Sequence, residues 1–308
     1  MRILTMLMAL MLGLLTVPGE ENSSLAKKNG YVINLDRAEK LEKMTYSSLF
    51  SKAGIIVLED TDESLLGKVD KLEVCDNNLY VLEKGRGLFL FNKQGKFIKM
   101  IGRQGKGPGE YIDPDDISID RENKKIYVLD SQTQNVLKYS GNGTFESSFK
   151  LENKGTRSTF IQPFKNALYT NLYTFDKSGK RFLLSKVDVT NGKRISFQFE
   201  ASQYNKGWNE LFSTDQHTFI SGPTGNPKFM QIFMDTIFEI TPKGIKPYIT
   251  LQSKKLVTKE YLETLIAEND MSKSARVSKI YDRLMKSDKI YNCLLYTSPS
   301  PRDRTRSR

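Results

Sequence analysis

Between about Val69 and Leu251 the chain alternates short apolar runs with turn-rich polar stretches, and the runs are too short for helices. Leu79-Tyr-Val-Leu82 and Ile126-Tyr-Val-Leu129 are β-branched and aromatic, the composition of strands. Further along, Asn92-Lys-Gln-Gly95 and Ser140-Gly-Asn-Gly143 separate apolar runs as hairpin loops, with glycine available for a positive φ. The two stretches are copies. Tyr80 matches Tyr127 at an offset of 47, while Phe91 matches Tyr139, Gly95 matches Gly143 and Phe97 matches Phe145 at 48. Four strands in roughly 40 to 50 residues is the size of one blade of a β-propeller. Weaker copies follow at Asn166–Thr170 with Phe182–Gly192, and at His217–Ile220 with Thr236–Gly244. The period then changes. Thr258 can cap a helix with Tyr261, Leu262, Leu265 and Ile266 on one face, and a second helix aligns Val277, Ile280, Tyr281 and Leu284. The fold class is therefore all-β, a propeller of four-stranded blades with a small helical insertion over 258–287.

The ends follow different rules. Residues 1–19 read as a signal peptide, with Arg2 and then an uncharged apolar run from Ile3 to Val17, too short to span a bilayer comfortably. No cysteine follows it as a lipidation site. From Cys293 to Arg308 periodicity disappears and Arg alternates with small polar residues. This string resembles a translated sequencing adapter and is set aside as a non-native tail. It carries Arg302, Arg304, Arg306 and Arg308 against Asp303, so +3 of the net charge of +11 sits there. The remaining cations are dispersed in singles and pairs, which supports solubility and not a nucleic-acid footprint. The propeller domain is assigned to 31–292.

Composition excludes more. A single histidine, His217, rules out sites built on two imidazoles, and two cysteines rule out a Cys-rich zinc site or a disulfide framework. Without the tail only Cys75 remains, in an apolar alternating stretch that suits a small core residue.

Two segments carry a family resemblance. Ile101-Gly-Arg-Gln-Gly-Lys-Gly-Pro-Gly-Glu-Tyr111 resembles the inter-blade linker of NHL-type propellers. Ile56 to Lys71 is similar to the lead-in segment of exported six-bladed β-propeller proteins of gut Bacteroidetes. The resemblance implies an exported protein of the periplasm or cell surface, with six blades and no settled catalytic motif. About four to five blades fit in this chain, so it is expected to be truncated at its C-terminus. The strand Tyr31–Leu35 is expected to belong to the last blade, with its partners absent and sheet edges exposed.

Candidate chemistry is sparse. The glycine-rich segment fails the P-loop pattern, because Gly107 follows Lys106 where Ser or Thr is needed, and fails the dinucleotide pattern at Glu110. Arg103, Lys106, Glu110 and Tyr111 remain candidates for a surface at the blade junction. Asp113, Asp115, Asp116 and Asp120 form an acidic cluster without an EF-hand spacing, so Asp115 and Asp116 are kept as ligand-binding candidates and no metal is assigned. Glu83 and Asp130 end equivalent strands, the residue types of a glycosidase pair, but repetition at one blade position favours a structural role. Trp208, Tyr204 and Tyr173 are candidates for stacking on sugars. No cofactor motif is present. The sequence favours a binding or scaffold protein for a glycan, peptide or partner protein over an enzyme, the alternative being a propeller hydrolase or lyase acting on polysaccharide. Nucleic acid is not expected as a partner, and membrane association only through an uncleaved N-terminal segment.

Overall fold

A computed structural model describes residues 30–38, 45, 47, 50–52, 54–152, 155–174, 179–208, 218–222, 225–267 and 273–290. The signal-peptide segment, His217 and the tail from Cys293 lie outside the described residues. The first strand, β1, is Tyr31–Asn34. The first blade is β2 (Lys71–Cys75), β3 (Asn78–Glu83), β4 (Gly87–Asn92) and β5 (Phe97–Ile101). Two short strands, β6 (Arg103–Gln104) and β7 (Glu110–Tyr111), pair in parallel within the connection to the second blade. That blade is β8 (Pro114–Asp120), β9 (Lys125–Asp130), β10 (Asn135–Ser140) and β11 (Phe145–Lys150). Then come β12 (Thr156–Arg157), β13 (Ile161–Phe164), β14 (Ala167–Asn171), β15 (Tyr173–Thr174), β16 (Phe182–Asp188) and β17 (Arg194–Glu200). The third blade is β13-β14-β16-β17, and β12 pairs with β15 beside it. After a single-turn helix, α1 (Ala201–Tyr204), the fourth blade is β18 (Phe219–Ile220), β19 (Lys228–Phe229), β20 (Thr236–Thr241) and β21 (Gly244–Gln252). Helices α2 (Lys259–Ala267) and α3 (Lys273–Lys286) follow.

The four strands of each blade form an antiparallel meander, which explains the repeat seen in the sequence. The first three blades turn from third to fourth strand at a glycine, in Asn92–Lys96, Ser140–Thr144 and Asp188–Lys193. In all four blades the register shifts at one point of the third strand, at Leu90/Phe91, Lys138/Tyr139, Lys186/Val187 and Ile237/Phe238. Such a bulge adds twist, and twist lets flat sheets stack around an axis. Alternation puts apolar side chains on both faces. Leu82, Leu88, Ile101, Ile117, Ile126, Val128 and Leu137 fill the space between first and second blades. Leu129, Val136, Leu151, Ile161 and Val187 fill the next interface, and Leu184, Phe229, Phe238 and Ile240 the one after. Each fully buried aliphatic side chain contributes about 2 kcal/mol.

The four blades form an arc, and among the described residues no apolar cluster joins the fourth blade to the first. The first blade's outward face, Leu79, Val81, Phe89 and Phe91, is covered by Ile56, Leu58, Leu66 and Val69. On the fourth blade, the face turned away from the third carries a cross-strand row, Lys228–Glu239 at 2.9 Å and Lys246–Glu239 at 3.0 Å. One expectation about edges is corrected. Strand β1 is not unpartnered: it lies parallel on β21, from Tyr31 opposite Ile249 to Asn34 opposite Gln252. Asp36 fastens it by accepting hydrogen bonds from Ser253 Oγ and the Lys254 amide. The two expected helices are present, with Thr258 accepting the Tyr261 amide at the start of α2.

Candidate functional site

In an antiparallel meander the turn between second and third strands leaves at the same end as the connection to the next blade. The segments 84–86, 102–113, 131–134, 151–152, 155–160 and 205–208 therefore share one end, called here the connector end. All seven candidates from the sequence, Arg103, Lys106, Glu110, Tyr111, Asp115, Asp116 and Trp208, fall on it. The structure sorts them into surface, strut and core.

The glycine-rich loop folds around its own carboxylate. Glu110 accepts the Gly107 amide at 2.8 Å and Arg103 Nε at 2.6 Å. The Gly107 amide first, and Arg103 next, hold the Glu110 carboxyl below the usual carboxylate range. A Cβ at Gly105 would overlap that carboxylate and push it off its two donors. This loop already contains its anion, which is why it is no phosphate cradle. Arg103 and Lys106 stay exposed. Tyr111 does not: it is 1% exposed, donates to the Ile101 carbonyl at 3.0 Å and accepts the Leu88 amide at 3.1 Å.

The acidic candidates are struts. Asp116 accepts Lys71 Nζ at 2.7 Å and the Ile161 amide at 2.8 Å, so one carboxylate joins the inner strands of three blades. Asp115 accepts the amide and hydroxyl of Ser131. Asp113 accepts the Gly85 amide and Asp120 the amides of Glu122 and Asn123. Among the described residues no three His, Cys, Asp or Glu converge as metal ligands. Glu83 takes the Gly67 amide and Asp130 the Ile112 amide, each closing the segment that leads into its own blade. Asn171, at the same point of the third blade, takes the amides of Thr159 and Phe160. Sequence comparison missed this third member, because the acid has become an amide and the spacing has shortened.

Of the three aromatic candidates, one is core. Trp208 is 4% exposed and meets Phe233 edge-on at 5.2 Å, in the cluster that α2 and α3 close with Leu262, Ile280 and Leu284. Tyr173 is half-buried, and burial pushes its phenol up to about 12. Tyr204 is 37% exposed but leans on Phe199 at 4.9 Å.

The ion pairs of the connector end differ between blades, and Lys206–Asp235 near the fourth blade has the cation inside, at 16% against 41%. In three ion pairs of the connector end the acid is the buried partner and the cation the exposed one. Side-chain exposures are 59% against 4% for Lys68–Asp70, 41% against 10% for Arg86–Glu83, and 80% against 18% for Arg103–Glu110. At the opposite end the partners are matched, at 71% and 66% for Lys124–Asp76 and 50% and 62% for Lys165–Glu122. That end also holds a groove of about 420 Å³ between the first two blades, lined by Cys75, Asp76, Asn78, Tyr80, Lys124 and Asn142. Burial pushes the Cys75 thiol up, away from the reactive thiolate.

Four meandering sheets stacked face to face about inner strands β2, β8, β13 and β18 make this a β-propeller protein. The chain belongs to the DUF4934 family, described as a domain of unknown function, whose profile matches residues 30–299. The match overlaps the tail segment at residues 293–299. Among solved structures, an exported protein of Bacteroides fragilis is similar at 22% identity and a TM-score of 0.57, over 76% of this chain and 63% of that one. This chain thus spans less than two thirds of that protein's length. A streptogramin B lyase aligns at 20% identity and a TM-score of 0.40, over 59% and 54% of the two chains. A member of the DUF4221 family from Bacteroides vulgatus aligns at 10% identity and 0.41, over 64% of each. No curated protein matches the chain.

Proposed function

We propose that this protein is an exported, six-bladed β-propeller binding protein of the bacterial cell envelope that holds an acidic ligand against its connector end. The ligand chemistry is a surface of carboxylate or sulfate groups, carried by an acidic glycan or by an acidic face of a partner protein. One observation carries the reading: around the first two blades, in the ion pairs of Lys68, Arg86 and Arg103, the acid points inward and the cation is what solvent meets. Arg86, Arg103 and Lys106 then present donors at the junction of the first two blades, with Arg103 already oriented by Glu110. Trp208 is taken up by the core and Tyr204 leans on Phe199, so recognition rests on charge and hydrogen bonding. Export is supported by the apolar N-terminal segment and by the description of the Bacteroides fragilis protein.

The test is binding of residues 20–308 to matched acidic and neutral polysaccharides and to an acidic protein, over a salt series. Acidic ligands should bind and weaken as salt rises, since exposed charges are screened beyond roughly 10 Å at 0.1 M. Arg103→Glu with Lys106→Glu should weaken binding at least about tenfold, the effect of roughly 1.4 kcal/mol. Equal affinity for acidic and neutral ligands, or no change in the double variant, would sink the reading.

A further inference from the structure

The segment ahead of the first blade repeats, contact for contact, the fourth strand of the second blade. At the junction of second and third blades, the Glu152 amide donates to the Gly192 carbonyl at 3.1 Å, and the Arg194 amide donates back to Glu152 Oε2 at 3.3 Å. Ahead of the first blade, the Glu59 amide donates to the Gly95 carbonyl at 2.7 Å, and the Phe97 amide donates back to Glu59 Oε2 at 2.8 Å. Gly192 and Gly95 hold the same place in their hairpins. A Cβ at Gly192 would run into the Lys150 carbonyl and the Phe149 ring, and one at Gly95 into the Val57 carbonyl and the Ile56 side chain. The sequences agree too: Phe149-Lys-Leu-Glu152 and Ile56-Val-Leu-Glu59 share the order apolar, any, Leu, Glu. In both, the first and third residues face the neighbouring blade.

We infer that Ile56–Glu59 is the outermost strand of a further blade, one that sits ahead of the first and closes the ring. The inference rests on backbone geometry, independently of the ligand proposed above. The equivalence says what the strand lacks. Leu151 donates its amide to the Gln134 carbonyl, at the end of the turn that leads into the third strand of its own blade. Among the described residues no carbonyl takes the equivalent Leu58 amide. On the side turned from the first blade, Ile55 and Val57 stand 70% and 67% exposed, apolar positions with no sheet beside them. The occupant is therefore three antiparallel strands that end the sheet on Leu58, and we assign them to a continuation of the same polypeptide past the fourth blade. Two facts favour that source: the arc is open between its fourth and first blades, and the chain spans only 63% of its Bacteroides fragilis counterpart. A blade completed in this way joins the two ends of the chain, one strand from the front and three from the back.

The experiment is amide hydrogen exchange resolved at Leu58, in the 308-residue chain and in the full polypeptide read from the uninterrupted locus. Leu58 should exchange at least about 100-fold more slowly in the full polypeptide, as an amide moved from an open edge into a ladder does. Glu59, bonded to Gly95 in both forms, is the internal control and should change far less. Equal exchange at Leu58 in the two forms overturns the proposal. So does a reading frame that stops without another three strands, or protection of Leu58 in the 308-residue chain that grows with its concentration, which would make the occupant a second copy. None of these outcomes depends on whether an acidic ligand binds.

Discussion

At the scale of single residues, the connector end shows how a polar cluster can look like a site and serve the scaffold. Glu110 illustrates this with a pH signature. Its carboxyl is held below the ordinary 4.5, by the Gly107 amide and then by Arg103. A group whose folded pKa is depressed binds fewer protons folded than unfolded, so it stabilises the fold above its unfolded pKa. That contribution is lost as the pH falls through the lowered value. Glu110→Gln should therefore melt below the wild type by a constant margin above about pH 5, and the margin should shrink on acidification. Melting curves at a series of pH values check it, and a margin that widens in acid would contradict the carboxylate's role. The repeated Glu83, Asp130 and Asn171 carry the same lesson, because a residue that recurs at one blade position is explained by the blade.

At the scale of elements, legibility in the sequence follows the length of the strands. In the first two blades, strands of five to seven residues show their period, and the glycine hairpins mark the turns. In the fourth blade β18 and β19 are two residues each, too short to show a period of two. Ile56–Glu59 was legible only as a lead-in, because a strand without partners differs from a loop in nothing but its contacts. The burial of Tyr111 and Trp208 was not legible either, since an aromatic residue in a polar loop looks the same whether or not a helix covers it. The helices make a separable unit. Ile280 is 1% exposed in the cluster around Trp208, the single tryptophan of the chain. Ile280→Ala should cost that cluster about 2–4 kcal/mol. Tryptophan emission should shift to the red at lower denaturant than in the wild type, while amides of the first two blades keep their protection. Simultaneous loss in helices and blades would show that the two are one cooperative unit.

At the scale of the whole molecule, blades that touch only their neighbours make a nearly one-dimensional stack, whose stability is a sum over interfaces. Asp116 breaks that simplicity, because it binds β2 and β13 across the blade between them. Replacing it by Ala leaves the Lys71 ammonium and the Ile161 amide without their acceptor in a place where Asp116 itself is 1% exposed. The cost should be about 3 kcal/mol, by analogy with other broken buried pairs. Asp116→Asn keeps an acceptor for Ile161 and should recover part of it. Urea denaturation of both variants is the measure, and an Ala variant as stable as wild type would remove Asp116 from its role as a strut.

The glycine hairpins at the opposite end have a practical meaning. The third runs from Asp188 to Lys193, one residue longer than Asn92–Lys96 and Ser140–Thr144, yet its sheet keeps the same bulge and the same faces. The extra residue is absorbed outside the ladder. Thr190 and Asn191 bond within the hairpin, to Asp188 and Lys193, while Gly192 and Arg194 hold Glu152 of the second blade, so length is free at the tip and fixed at its base. A dye, an affinity peptide or a surface tether grafted into Thr190–Asn191 would leave the cationic end facing the solution, and the molecule could be held by the end that does not read its ligand.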